Sequence, residues 1–263
     1  MELITGVTVI KINYTEKGKG FPLVLIHGLS DDLNFWKPLI PQLSKNFRII
    51  ALDLRGHGKS EKPDCNYSIK QFSEDIHEFL LKLNLKKAHF VGFSMGGAIS
   101  LQFTIDYPEM VRSIILMSSF GYTDPYLKEK FLLLRKSLHV GGFGDFFDEI
   151  LPLVLTHEFI EKNRIEIAEI KKMKIKTESN DSLISSVDAC IEFNLKDLIN
   201  TIRKPVLIIS GREDILIPIH LVKQLYEELK CSNWVIIEDA GHNILIPEKI
   251  PQILVLIDSF LND

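Results

Sequence analysis

Cysteine is scarce in this chain of 263 residues, which holds only Cys65, Cys190 and Cys231. The number is odd and no two are spaced as CxxC, so neither a disulfide framework nor a zinc site is suggested. Long apolar runs are missing as well. No stretch reaches the ~18 residues of a membrane span. The first residues, Met1-Glu2-Leu3-Ile4-Thr5-Gly6, lack a charged start followed by an apolar run, so a cytoplasmic protein is expected. Excess positive charge is absent too. The formal net charge is −4, unlike the basic footprint of a nucleic-acid binder, and no nucleic-acid partner is expected. The densest basic stretch, Lys171-Lys172-Met173-Lys174-Ile175-Lys176, lies near Glu166, Glu169 and Glu178 and reads as a solvated helix face. Internal repeats and low-complexity tracts do not occur, and nothing in the sequence sets an oligomeric state.

What is present is an ordinary globular composition, with 46% apolar and 25% charged residues. Residues 3–14 alternate and carry Val7, Val9, Ile10 and Ile12, which reads as early strands; Lys17-Gly18-Lys19-Gly20 then supplies a turn. Phe21–Ile26 is a continuous apolar run, as expected for a strand buried on both faces. Similar runs recur at Arg48–Leu52, Ala88–Phe93, Val111–Met117, Pro205–Ser210 and Trp234–Ile237. Helical patterns lie between them. Residues 69–83 put Phe72, Ile76, Phe79, Leu80 and Leu83 on one face, with Ser68 and Gln71 spaced as a capping box. A helix after Ser94 must end near Tyr107, before Pro108, and a last one covers 248–261. This alternation predicts an α/β fold, a mostly parallel sheet flanked by helices. Residues 120–199 break the rhythm: they hold no convincing strand, and Gly141–Gly144 separates helical patterns such as Tyr126–Leu138 and Phe159–Ile175. The chain therefore divides into a core, 1–119 with 200–263, and a helical cap, 120–199.

Gly92-Phe93-Ser94-Met95-Gly96-Gly97 fits G-x-S-x-G, with a buried strand before it and a helix after it. That context marks a nucleophile elbow, a turn so sharp that only small neighbours tolerate it. A serine hydroxyl needs a base. Of the eight histidines, His242 stands out, just after the last expected strand, where open α/β sheets place their sites. His27 reads as a loop-shaping residue. The base needs an acid to fix its tautomer. Asp214 follows the strand ending at Ser210 and gives the chain order Ser94, Asp214, His242, while Glu213 and Asp239 remain rivals. Main-chain N–H groups of Leu29 and Met95 are expected to hold the oxyanion. Phe120, Phe143, Phe147 and Leu151, with Phe131, Phe146 and Leu155, offer an apolar wall from the cap. No metal and no organic cofactor is expected.

Taken together, the sequence resembles the capped α/β-hydrolases: small esterases, lactonases, cofactor-free haloperoxidases and C–C bond hydrolases. The matching pieces are His27-Gly28 with Trp36, Asp53–Ser60, Gly92–Gly97, Gly211–Asp214 and Gly241-His242. In that family the Asp53–Ser60 motif is a structural loop, so the resemblance gives Asp53 and His57 no catalytic role. Two departures are visible. Leu29-Ser30-Asp31-Asp32 replaces the family's His-Gly-x-Gly pattern; its two acids would disfavour an anionic substrate group if they faced the pocket, and they are expected in solvent instead. Ile246-Pro247-Glu248 is expected to shift the start of the final helix. The expected reaction is hydrolysis of a small to medium, moderately apolar ester, thioester or lactone by water through an acyl-enzyme on Ser94. C–C hydrolysis or cofactor-free perhydrolysis on the same fold stands second, and a non-enzymatic ligand-binding protein third.

Overall fold

The computed structural model describes residues 10–262. Its strands are β1 (Tyr14–Lys17), β2 (Phe21–Ile26), β3 (Phe47–Leu52), β4 (Ala88–Phe93), β5 (Val111–Met117), β6 (Val206–Gly211) and β7 (Ser232–Ile237). They form one sheet in the order β1-β3-β2-β4-β5-β6-β7, antiparallel only at β1. The helices are α1 (Ile40–Leu43), α2 (Ile69–Lys82), α3 (Met95–Asp106), α4 (Pro125–Val154), α5 (His157–Lys162), α6 (Arg164–Lys174), α7 (Asn180–Ile191), α8 (Ile219–Glu228) and α9 (Ile250–Asn262).

The apolar runs become strands because both faces of the sheet are covered. Leu23 and Leu25 face the layer that contains Trp36, Leu43 of α1 and Ile253 and Ile257 of α9. Val24 and Ile26 face the opposite layer, with Phe72 of α2, Ile99 of α3 and Val222 of α8. Alternate residues of one strand thus serve two cores. Ser68 opens α2 by accepting the Gln71 N–H at 3.1 Å. The last helix starts at Ile250, two residues later than the sequence pattern suggests.

At the N-terminal edge the sequence pattern and the fold diverge. Residues 3–9 of the expected early strands lie outside the described residues. Of 10–14 only Tyr14 is in a strand, and that strand runs on to Lys17 before the turn at Gly18–Gly20, both glycines having positive φ. An edge strand with one partner is held by its register on β3 (Tyr14 opposite Leu52) rather than by its own pattern.

Between β5 and β6 the chain leaves the sheet and forms α4–α7. Gly142 kinks α4, with φ 67° and ψ −156°, and a β-carbon there would run into the Asn180 amide. Leu127, Phe131, Leu134 and Leu183 from this insertion join the same apolar cluster as Val24 and Phe72, so the insertion is packed on the sheet domain. No helix among the described residues is long and apolar enough to cross a membrane.

The topology also locates a crevice. From β2 the chain moves to β3 on one side, then crosses back to β4 on the other side of β2. Open parallel sheets bind ligands at such a reversal, outside the carboxyl ends of the strands. The loops leaving β2 and β4 there are the ones that carry Leu29 and Ser94.

Candidate active site

Ser94 sits between β4 and α3 with φ 52° and ψ −118°. A non-glycine residue in this region carries backbone strain of about 1–3 kcal/mol, which the surroundings must hold in place. Four hydrogen bonds do so: Ser94 N–H to Met117 O at 2.8 Å, and to Ser94 O the N–H groups of Gly97 (2.9 Å) and Ala98 (3.2 Å) and the Ser119 hydroxyl (2.8 Å). Any side chain at Gly92 or Gly96 would strike main chain, that of Gly96–Gly97 in the first case and of Ile26–His27 in the second. The glycines are therefore a packing requirement of the turn.

His242 Nε2 lies 2.9 Å from Ser94 Oγ, and its Nδ1 lies 2.8 Å from Asp214 Oδ2. The carboxylate accepts only, so Nδ1 carries the proton and Nε2 is free to receive one from the serine. Asp214 is itself fixed, its Oδ1 accepting the N–H groups of Leu216 (3.0 Å) and Ile217 (2.8 Å). Asp214, His242 and Ser94 are only 3%, 2% and 8% exposed. Neither rival acid takes part: Glu213 is exposed, and the Asp239 side chain, 89% exposed, lies 3.7 Å from Lys249 Nζ.

Leu29 and Met95 border the same cavity as Ser94. Met95 is the first residue of α3, whose opening N–H groups have no partner within the helix. Among the described residues no protein acceptor takes the N–H of either Leu29 or Met95. The positive end of the α3 dipole points to the same spot.

Of the other buried histidines, His89 pairs through Nδ1 with Ser113 Oγ at 2.6 Å, and the two near the site are turned to the main chain. His27 donates from Nδ1 to Gly28 O (2.8 Å) and accepts the Leu54 N–H at Nε2 (3.0 Å). His57 donates from Nδ1 to Arg55 O at 2.8 Å. Burial pulls His27 down to about 4 and His57 to about 3, so both are neutral. Asp53 ties loops together, accepting from Leu33 N (2.7 Å), Lys59 N (2.8 Å) and Asn13 Nδ2 (2.7 Å).

The cavity holds about 230 Å³. Its far wall comes from the insertion. Phe143, Phe147 and Leu151 line it as the sequence suggests, together with Phe131 and Leu155. Phe120 does not. It is 2% exposed and packs on Phe131 and Phe193 at centroid distances of 5.8 and 5.6 Å, inside the core. Phe146 is likewise buried away from the cavity. Two charged residues expected in solvent face it instead. Asp31 lines the cavity from the loop after β2, whereas its neighbour Asp32 caps a short 3₁₀ turn by accepting the Asn34 N–H at 2.7 Å. Lys174 lines it from the end of α6, because Ile167, Ile170 and Lys174 share one helix face that looks inward. That i, i+3, i+7 spacing is the signal which would have found Lys174; the rest of its basic run points elsewhere, Lys171 to Asp148 at 2.6 Å.

Comparison with known proteins agrees with this architecture. A family model described as alpha/beta hydrolase fold matches residues 22–158. A 2-hydroxymuconate semialdehyde hydrolase of Pseudomonas sp. (strain CF600) is 30% identical over 255 residues, covering 88% of this chain and 87% of its own. The crystal structure of the enol-lactonase from Burkholderia xenovorans LB400 superposes with a TM-score of 0.90 at 25% identity, over 98% of this chain and 99% of that one. A thermophilic esterase from Thermogutta terrifontis gives 0.86 at 25% identity, over 96% and 93%.

Proposed function

The chain belongs to the α/β-hydrolase family and is a hydrolase, and on that premise we propose that it is a serine hydrolase cleaving a small to medium, moderately apolar carboxylic ester, thioester or lactone. The observation that carries this reading is the hydrogen-bonded series Asp214–His242–Ser94, opening on a mostly apolar cavity. Ser94 Oγ attacks the substrate carbonyl carbon while its proton passes to His242 Nε2. The carbonyl oxygen, now negative, rests on the N–H groups of Leu29 and Met95. His242 then gives the proton to the leaving alcohol, and the acyl group stays on Ser94. Water attacks this ester with His242 as base, releasing the acid and restoring the serine. Asp214 keeps the imidazole in the required tautomer and supports the imidazolium. The α4–α7 insertion acts as a cap that shapes the acyl or alcohol pocket. A cytoplasmic setting fits the three free cysteines, two of them exposed.

A fluorophosphonate probe tests the nucleophile. Wild type should be labelled and Ser94→Ala should not; an unlabelled wild type, or equal labelling of both, refutes the mechanism. Carbon–carbon hydrolysis is the second reading, favoured by the name of the relative at 30% identity. p-Nitrophenyl esters of rising chain length separate the two, since activity confined to vinylogous diketones would favour the second.

A further inference from the structure

Apart from the Ser94–His242 pair, the charged groups on the cavity wall are Asp31 and Lys174. They differ in what holds them. The Lys174 ammonium donates to the Ser30 carbonyl and lies 3.4 Å from Glu178 Oε1. The Lys174 and Glu178 side chains are 15% and 4% exposed, which makes them a largely buried pair. The Asp31 carboxylate has neither a hydrogen-bond donor nor a cation within ion-pair distance among the described residues. Asp31 and Lys174 both line the ligand space, and of the two only Asp31 lacks a partner among the described residues. An acceptor in a mostly apolar wall gains most from a donor brought by the ligand, and a charge-assisted hydrogen bond is the strong form of that contact.

We propose that Asp31 is a specificity-determining residue: its carboxylate receives a hydrogen-bond-donating end group of the substrate, best a protonated amine, and turns away substrates that end in a free carboxylate. This rests on the reading of the cavity as a site of ester hydrolysis at Ser94. The charged and titratable groups around Asp31 are Asp32 on its own loop, Lys174 and Glu178 from the insertion and His242 from the loop after β7. Burial raises the Asp31 carboxyl to about 6, against the lowering effect of Lys174 and His242. The preference therefore holds above pH 6 and fades as Asp31 takes up a proton below it.

Three p-nitrophenyl esters of matched chain length, ending in methyl, ammonium and carboxylate groups, test this. At pH 8 the wild-type kcat/KM for the ammonium ester should exceed that for the carboxylate ester at least tenfold. Asp31→Asn should cut this ratio at least fivefold, and Asp31→Glu should keep it. The ammonium-to-methyl ratio should also fall from pH 8 to pH 5 in the wild type; any pH dependence of the chemical step common to both esters cancels in the ratio, so this arm decides the matter even if Asp31→Asn fails to fold. A carboxylate ester hydrolysed as fast as the ammonium ester, a ratio untouched by Asp31→Asn, or a carboxylate preference lost in Lys174→Met would overturn the proposal. Binding of hexylammonium against hexanoate to Ser94→Ala, measured by calorimetry, separates the two levels. Failure of all three esters and of fluorophosphonate labelling refutes the reading as a serine ester hydrolase, while tighter binding of hexanoate refutes the role of Asp31.

Discussion

The two walls of the cavity are built on different principles. The sheet side, with Ser94, Met95, Leu29 and His242, is held by directed bonds: a strained turn fixed by four hydrogen bonds, an imidazole gripped at both nitrogens and a carboxylate pinned by two backbone N–H groups. The insertion side is held by apolar packing, Phe143 against Phe146 and Phe147 at centroid distances of 5.8 and 5.9 Å. Directed bonds fix positions to a fraction of an ångström, as bond-making requires. Packing tolerates volume-conserving exchange, as a surface that adapts to new substrates requires. Changes to the bonded network of Ser94, His242 and Asp214 should therefore alter turnover, and changes on the insertion side, like those at Asp31 on the rim of the sheet side, should alter choice of substrate.

The largest expected effect is on Ser94. Replacing it by alanine should remove fluorophosphonate labelling and lower kcat by a factor on the order of 10⁶, the loss known when such a triad is broken; residual turnover within a hundredfold of wild type would make another group the nucleophile. Asp214→Asn comes next. It should keep the circular-dichroism spectrum and lose about 10⁴ in kcat, because the imidazole then settles in the wrong tautomer. Near-wild-type activity would move the acid role to Glu213 or Asp239.

The sheet side should also be the part that acid attacks. His57 stays neutral down to about pH 3 in the folded chain, whereas in the unfolded chain it protonates near 6.5. The unfolded state thus takes up a proton that the folded state refuses, and stability falls as pH drops from about 6.5 toward 3. The slope is about 1 kcal/mol per pH unit for this one group. His27, held near 4, acts in the same direction, whereas Asp31, raised to about 6, gains its proton on folding and acts in the opposite one. His57→Gln isolates the effect in urea titrations: it should cost stability at pH 8, and the deficit should shrink at pH 4.5. An unchanged deficit would show that His57 is not held neutral.

The smallest effect belongs to the insertion. Phe147→Ala should move the preferred acyl chain to greater length and change kcat/KM among esters about tenfold, with Ser94 still labelled. A loss comparable to that of Asp214→Asn would erase the contrast between the walls.

Legibility in the sequence follows the same division. Strands β2, β4 and β5 run over the residues their apolar runs mark, because burial on both faces leaves few polar residues to blur the ends. The turn at Ser94 is legible because its glycines are demanded by local crowding. Helix α8 is not singled out by the sequence pattern, since Leu221, Val222 and Leu225 bury only a narrow stripe. The pattern over 159–175 suggests one helix, yet the chain breaks at Asn163, whose side chain caps the Phe159 carbonyl at 2.8 Å. Phe120 is an equally good wall residue by composition, and only the packing of Phe131 and Phe193 around it takes it into the core.

By itself the sequence determined the inner strands of the sheet, the order Ser94, Asp214, His242 and the crowded turn, because each depends on residues close in the chain or on the burial pattern of one element. Tertiary structure alone decided which residues meet across the cavity. It turned Phe120 away, brought Asp31 and Lys174 inward from segments more than a hundred positions apart, and left the Asp31 carboxylate without a partner, since no local pattern records which charge the distant chain will supply.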